Sequence, residues 1–163
     1  MAIKCFQEQY PEETRHCYGC GPLNPHGHRL QSFWEGDETV ARFDPEPYHT
    51  SMPGYVYGGL IASLIDCHGT GSAAAFAHRA EAREMGTEPA LRYVTGSLHV
   101  DYLKPTPLGA TLVLKGRQKS IKGRVVVVEI SLYAEGVECT RGEVVAVRIP
   151  ERWLESLEAP REP

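Results

Sequence analysis

The chain has 163 residues, of which 42% are hydrophobic and 23% charged, with a formal net charge of −4. That balance suits one soluble domain with a core of its own, and the acidic surplus gives no reason to expect nucleic acid as a partner. No apolar run is long enough to span a bilayer, and the start Met1-Ala-Ile-Lys-Cys-Phe-Gln-Glu8 lacks the basic head and apolar stretch of a signal peptide. The expectation is therefore a cytoplasmic protein with no membrane partner.

Residues 1–15 are polar, carry Pro11, and read as an N-terminal strap or a short helix. Glycines, prolines and Asn24 make Cys17–Gly27 a chain of turns. Cys17 and Cys20 form a C-x-x-C followed by His26 and His28, but those two histidines are closer together than zinc-finger spacing. With an odd total of five cysteines, the reading here is a tight turn with reduced thiols and no metal. Arg29–Glu35 and Thr39–Phe43 read as two strands joined at Gly36-Asp37. A proline-containing loop then leads to a helix expected over Tyr55–His78, weakened by Gly69 and Gly71, with the charged segment up to Gly86 as a further extension.

Four strands follow: Leu91–Leu103, Thr111–Ser120, Val125–Tyr133 and Val137–Ile149, with turns at Lys122-Gly123 and Glu135-Gly136. Val125–Val128 lacks alternation and predicts a central strand covered on both faces. Trp153, Leu154 and Leu157 suit a helical turn packing back, and 159–163 a disordered tail. Two strands, one long helix and four antiparallel strands make an α+β layer fold in a single domain over 1–163.

The chain is organised around Gly54–Asp66. At about 100° per residue, Leu60, Ile61, Leu64, Ile65 and His68 share one large apolar side of the helix. Gly59, Ala62, Ser63, Asp66, Thr70 and Ala73 share the other, which is small around a single acid. His68, on the apolar side, reads as a core histidine with its hydrogen bonds satisfied. Gly58 and Gly59 stand where the helix begins, and their unbonded N–H groups suit a carbonyl oxygen or an oxyanion. Asp66 lies eight positions further on, roughly 12 Å along the axis at about 1.5 Å per residue. One reacting group cannot touch both ends. If both residues act on one carbonyl, the second comes from another copy of the helix running antiparallel, which favours a two-fold homodimer with the site at its interface. Simple helix packing with Asp66 solvated remains the alternative.

Tyr57-Gly58-Gly59 followed by Asp66 resembles the His-Gly-Gly…Asp signature of PaaI-type hotdog thioesterases, with the same gap to the acid. Thr95-Gly-Ser-Leu-His-Val-Asp-Tyr-Leu-Lys-Pro105 resembles the family's third strand, and Cys17-Tyr-Gly-Cys-Gly-Pro-Leu-Asn-Pro25 an entry segment of one branch. The resemblance runs from about Cys17 to Ile149 and implies a hotdog fold, a curved antiparallel sheet wrapped around one central helix.

It also implies hydrolysis of an acyl-CoA thioester, with coenzyme A entering as part of the substrate and no separate cofactor. Gly58 N–H, beside Gly59, is the candidate to polarise the carbonyl, and Asp66 the candidate general base or nucleophile. Thr95 matches a family threonine that supports the water or the acid, against the plain reading of a strand threonine. Tyr57 stands where the family usually has His, and its phenol either donates to the carbonyl or packs on the acyl group. Ser120, Lys122, Gly123 and Arg124 occupy a hairpin region that in the family often meets coenzyme A phosphates, and Lys104 is placed with them. Their alternative is a solvated turn. Tyr48, His49, Met52 and Tyr55 are candidates to shape the pocket. Two rival functions are a non-catalytic acyl-CoA binder, suggested by Tyr57, and a hotdog hydratase or dehydratase. The dimer is further open to pairing into a tetramer.

Overall fold

The structure is a computed structural model and describes residues 3–158, so the expected disordered tail lies outside the described residues. Two 3-10 turns, Gln7–Gln9 and Glu12–Thr14, come first. The strands β1 (Ser32–Glu35) and β2 (Glu38–Phe43) form a hairpin through Gly36, whose φ of 64° suits glycine. Helix α1 (Gly58–Ala80) precedes β3 (Tyr93–Tyr102), β4 (Leu112–Lys122), β5 (Val125–Ala134) and β6 (Val137–Arg148), and a short α2 (Glu151–Glu158) ends the described chain. Trp153 on α2 is largely exposed, so this turn does not bury its indole against the sheet.

All strand pairings are antiparallel, in the order β1-β2-β4-β5-β6-β3. The sheet curls around α1, whose Leu60, Ile61, Leu64 and Ile65 are buried against Leu114, Val126, Val128, Ile130 and Val144. This is the expected hotdog arrangement. The six strands correspond to the six expected runs, because glycine turns and binary alternation punctuate each of them.

The helix departs from expectation at both ends. Tyr55 bridges to Pro107, and Val56 N–H donates to the Thr106 carbonyl at 2.9 Å, so this stretch is held extended and α1 cannot begin before Gly58. At the other end α1 stops at Ala80. Ala82 takes a left-handed φ of 53°, while Ala82 N–H reaches Arg79 O and Arg83 N–H reaches His78 O, which is a Schellman closure without glycine. The charged segment therefore does not extend the helix.

Gly69 is a contact surface rather than a weak point. A Cβ there would meet Val144 Cγ2 at 2.4 Å, and one at Gly142 would meet Ile65 Cγ2 at 2.4 Å, so the two glycines let helix and sheet approach. Ala73, expected on the open face, is fully buried, as is every residue from Gly71 to His78, because the N-terminal segment closes over that end with Gln7 and Tyr10. The strand at Val125–Val128 is central, but Val126 and Val128 are buried under α1 while Val125 and Val127 are only half-buried on the convex face. His68 is fully buried, its Nδ1 at 2.9 Å from Ser32 Oγ and its Nε2 at 3.3 Å from Thr39 Oγ1, which makes it the satisfied core histidine expected.

Candidate active site

The start of α1 is held by backbone bonds on both sides. Tyr57 N–H donates to the His49 carbonyl at 2.9 Å, and the Tyr57 carbonyl accepts from Leu60 and Ile61 N–H. Tyr57 is the N-cap residue, and its side chain makes no capping bond. As the first helical residue, Gly58 has no intrahelical acceptor for its N–H, and no other acceptor among the described residues reaches it. The Gly58 carbonyl accepts from the Tyr102 hydroxyl at 2.6 Å. The Tyr57 ring lies against Gly59, where a Cβ would meet ring atoms at 2.4 Å. A larger residue at 59 would have to displace that ring, and the phenol lies over the helix start.

Two turns further on, Asp66 sits half-buried on the small face and accepts a short hydrogen bond from Thr95 Oγ1. Thr95 is brought there by an irregularity in β3. The register with β6 shifts between Thr95 and Ser97, leaving Gly96 as the extra residue. A Cβ at Gly96 would meet Val147 Cγ2 at 2.9 Å, so the bulge fits only with glycine. Such a bulge re-aims the neighbouring side chain, here toward the acid. Asp66 and Thr95 line a pocket of ≈ 340 Å³ together with Cys17, Cys20, Cys67 and the strap residue Tyr10. Gly58 is not part of its wall, so within one chain the free amide and the carboxylate stay apart, as their separation along the helix requires.

The remaining expected site residues fall at two ends of the sheet. Ser120, Lys122, Gly123 and Arg124 form the β4–β5 hairpin tip, where Lys122, Gly123 and Arg124 are exposed. The row Thr95, Ala146, Val126, Ile121 runs across the sheet just short of that tip. Three strand spacings put the tip roughly 14 Å from Thr95. Lys104 is at the opposite end of β3, with its N–H on the Cys139 carbonyl. Tyr48, Met52 and Tyr55 are largely exposed, and His49 packs on His28, Phe43 and Tyr48. None of these four lines the Asp66 pocket. They surround the Gly58 end instead, because Tyr57 and Tyr55 tie that loop down.

The C-x-x-C turn does not meet the histidines that follow it. His28 packs between Tyr18 and Phe43, tilted on one and edge-on to the other, while Cys17 and Cys20 face Cys67 on α1. Side-chain contacts with Cys20 and Cys67 pull the Cys17 thiol far below its ordinary pKa, while the contact with Cys17, together with burial, pushes Cys67 up and Cys20 up to about 12. Cys67 and Tyr102 were not singled out from the sequence. Cys67 directly follows the acid, but nothing local shows that it meets a turn 50 residues away, and the Tyr102 contact with Gly58 depends on β3 crossing the helix start.

β3 is also one edge of the sheet. Every residue from Val94 to His99 is exposed, with Leu98 at 39% and Tyr102 at 53%. A bare edge beside a small helix face is a surface ready to pair.

A family model, the thioesterase superfamily, matches residues 53–140, which include both ends of this arrangement. The chain is 33% identical over 87 residues to the acyl-coenzyme A thioesterase THEM4 of Xenopus laevis, covering 53% of this chain and 33% of that protein. It thus spans about a third of that relative's length. A solved thioesterase superfamily protein from Shewanella loihica is 50% identical, covers 78% of this chain and 96% of its own, and superposes with a TM-score of 0.63. A Streptococcus mutans protein solved with bound acetyl CoA shares the fold at 18% identity, covering 74% of this chain and 88% of its own with a TM-score of 0.59. By the family match over more than half its residues and the half-identical Shewanella structure, the chain belongs to the thioesterase superfamily.

Proposed function

We propose that this protein hydrolyses an acyl-CoA thioester to the free acid and coenzyme A, at a site completed by two copies of the chain. The observation that carries this reading is the Thr95–Asp66 pair on the open face of α1, about 12 Å from an unbonded Gly58 N–H. With two α1 helices antiparallel, and the exposed β3 edges side by side, the Gly58 end of one copy meets the Asp66 end of the other. The Gly58 amide, at the positive end of the helix dipole, holds the thioester oxygen as it gains charge. Asp66 either takes a proton from water as the water oxygen attacks the carbonyl carbon, or attacks directly to give an anhydride that water then opens. The C–S bond breaks, and the thiolate of coenzyme A leaves and is protonated. Thr95 holds the carboxylate in place. The basic groups Lys122 and Arg124, with Ser120 and Gly123 at the same tip and Lys104 from the facing copy, receive the phosphates of coenzyme A. The acetyl CoA on the Streptococcus protein supports that substrate class.

The test is release of free thiol from acyl-CoA by the wild type and by Asp66→Asn. The variant keeps shape and loses basicity, and its turnover should fall by roughly 10²-fold or more with assembly intact. Turnover near wild type in Asp66→Asn would remove the acid from the reaction. A non-catalytic binder is favoured by one observation, the Tyr57 ring folded over Gly59, which narrows access to the helix start. Tight acyl-CoA binding without any thiol release by the wild type would establish it. Within one chain the hydratase reading finds no imidazole beside the acid, since His68 is bonded within the core and none of the described histidines lines the Asp66 pocket.

A further inference from the structure

We propose that Cys17, Cys20 and Cys67 form a binding site for a thiophilic d10 cation, zinc first among them, in the wall of the pocket that holds Asp66. The three Sγ atoms lie within 4.8 Å of one another, and Cys17 Sγ and Cys67 Sγ are 3.8 Å apart. Zinc–thiolate bonds of about 2.3 Å in tetrahedral directions put sulfur atoms roughly 3.8 Å apart. One edge of the ligand triangle therefore already has the spacing of a metal-bound pair, and the other two need contraction of at most about 1 Å, which is within a side-chain rotation.

The backbone around the thiols is built for this meeting. The turn is pinned by Gly21 N–H on Cys17 O at 2.7 Å, His28 N–H on Tyr18 O at 2.9 Å and Leu30 N–H on Gly19 O at 3.1 Å. A Cβ on Gly19 would lie 2.2 Å from Cys67 Sγ, so glycine there lets the turn lie directly against the thiol. A Cβ on Gly21 would meet Cys17 N at 2.4 Å, which fixes the fold-back that aims Cys17 and Cys20 the same way. Two ligands from a C-x-x-C turn and one from a helix make a three-thiolate set, and the Asp66 carboxylate is not among the clustered atoms. All three cysteines line the pocket, so an ion held by them would have a fourth position open to it, as in zinc sites that keep a place for water. Each thiol that coordinates yields its proton to solvent. Cys20 and Cys67 are buried and Cys17 exposed, so the site has a protected floor and an open entry.

The experiment is cobalt(II) titration of the full chain, reduced and stripped of metal by a chelator without air, followed by zinc(II). The expected result is one equivalent of cobalt bound, with thiolate-to-cobalt charge-transfer absorption and the intense visible bands of tetrahedral cobalt, bleached by one equivalent of zinc. Cys17→Ser, at an exposed position, and Cys67→Ser should each lose those bands, while Cys139→Ser keeps them. Circular dichroism confirms that each variant folds. Weak octahedral bands only, or full-strength bands in folded Cys17→Ser, would overturn the proposal. So would a reduced chain that takes up no cobalt and on exposure to an oxidant forms a Cys17–Cys67 disulfide, two hydrogens lighter by mass, because the cluster would then be a redox pair. The readout is optical and involves no thioester, so its failure is distinct from failure of the hydrolytic reading.

Discussion

Proline at position 58 removes one backbone donor and sets its ring Cδ on the nitrogen in place of that hydrogen. Gly58 is the first residue of α1, the helical position where proline is best tolerated, because its N–H has no partner in the helix. Proline requires an extended residue before it, and Tyr57 already has φ −60° and ψ 127°. The nearest atoms to a Cβ at 58 are the ring and hydroxyl of Tyr102, at 3.4 Å, an ordinary contact. The Tyr102 hydrogen bond goes to the Gly58 carbonyl and survives. Folding should therefore be neutral or gain up to about 1 kcal/mol from the stiffer unfolded chain.

The catalytic consequence is large if this amide polarises the thioester. Losing one such donor costs about 10²–10³ in kcat, or roughly 3–4 kcal/mol. Gly58→Ala is the control, since it adds the same Cβ and keeps the N–H. The assay is steady-state thiol release by wild type, Gly58→Ala and Gly58→Pro, with thermal unfolding and sedimentation alongside. The expectation is activity near wild type for alanine and a loss of at least two orders of magnitude for proline. A proline variant that turns over normally would show that the amide holds no oxyanion. An alanine variant as impaired as proline would show that bulk at 58, not the missing N–H, is what matters.

Thr95→Val removes the hydroxyl donor to Asp66 while keeping a β-branched strand residue, so kcat should fall about 10-fold with little change in Tm; an equal loss in an Asp66→Ala background would mean that Thr95 does not act through the acid. Mixing Gly58→Pro chains with Asp66→Asn chains should restore part of the activity, because a mixed dimer holds one intact site, and mixtures no more active than their components would sink the shared site. Burial holds the His68 pKa at about 4 against 6.5 for an exposed ring. The unfolded chain therefore takes up the proton first, and this contribution to stability is complete above pH 6.5 and lost as pH falls toward 4. Urea unfolding should give roughly 2–3 kcal/mol less stability at pH 4.5 than at pH 7 from this ring, and a flat profile would contradict it.

The fold was legible in the sequence wherever the signal was local. The apolar positions Leu60, Ile61, Leu64 and Ile65 set the buried side of α1, and Gly36, Gly123 and Gly136, all with positive φ, mark the three hairpin turns. What the sequence did not reveal depended on register between distant segments. The late start of α1 comes from Tyr55 and Val56 pairing with residues 106–107. The burial of Ala73 comes from a strap that a helical wheel does not see. The half-exposed Val125 and Val127 reflect a convex face that no second layer covers among the described residues. At the site, the spacing of Gly58 and Asp66 was readable from helix geometry alone, and Thr95 was identified only by resemblance. Its meeting with Asp66 depends on the bulge at Gly96, which looks like any glycine in a strand.

The features that no local pattern explains gather on one surface. The small face of α1 leaves Ala62, Ser63 and Asp66 only partly covered, and β3 presents an open edge with Val94, Leu98 and Tyr102 exposed. A monomer would keep both in water, at the cost of a bare strand edge that invites unspecific pairing. Pairing β3 with its symmetry mate would satisfy that edge and bring the two small helix faces together in the same step. Only small side chains let two backbones approach that closely, so the residues permitting the approach are those that leave the Gly58 amide and the Asp66 carboxylate accessible. On this reading the weak spots of the single chain and the chemistry of the pair have one cause. That is why substitutions enlarging Ala62 or Ser63 should impair assembly and turnover together rather than the stability of the sheet.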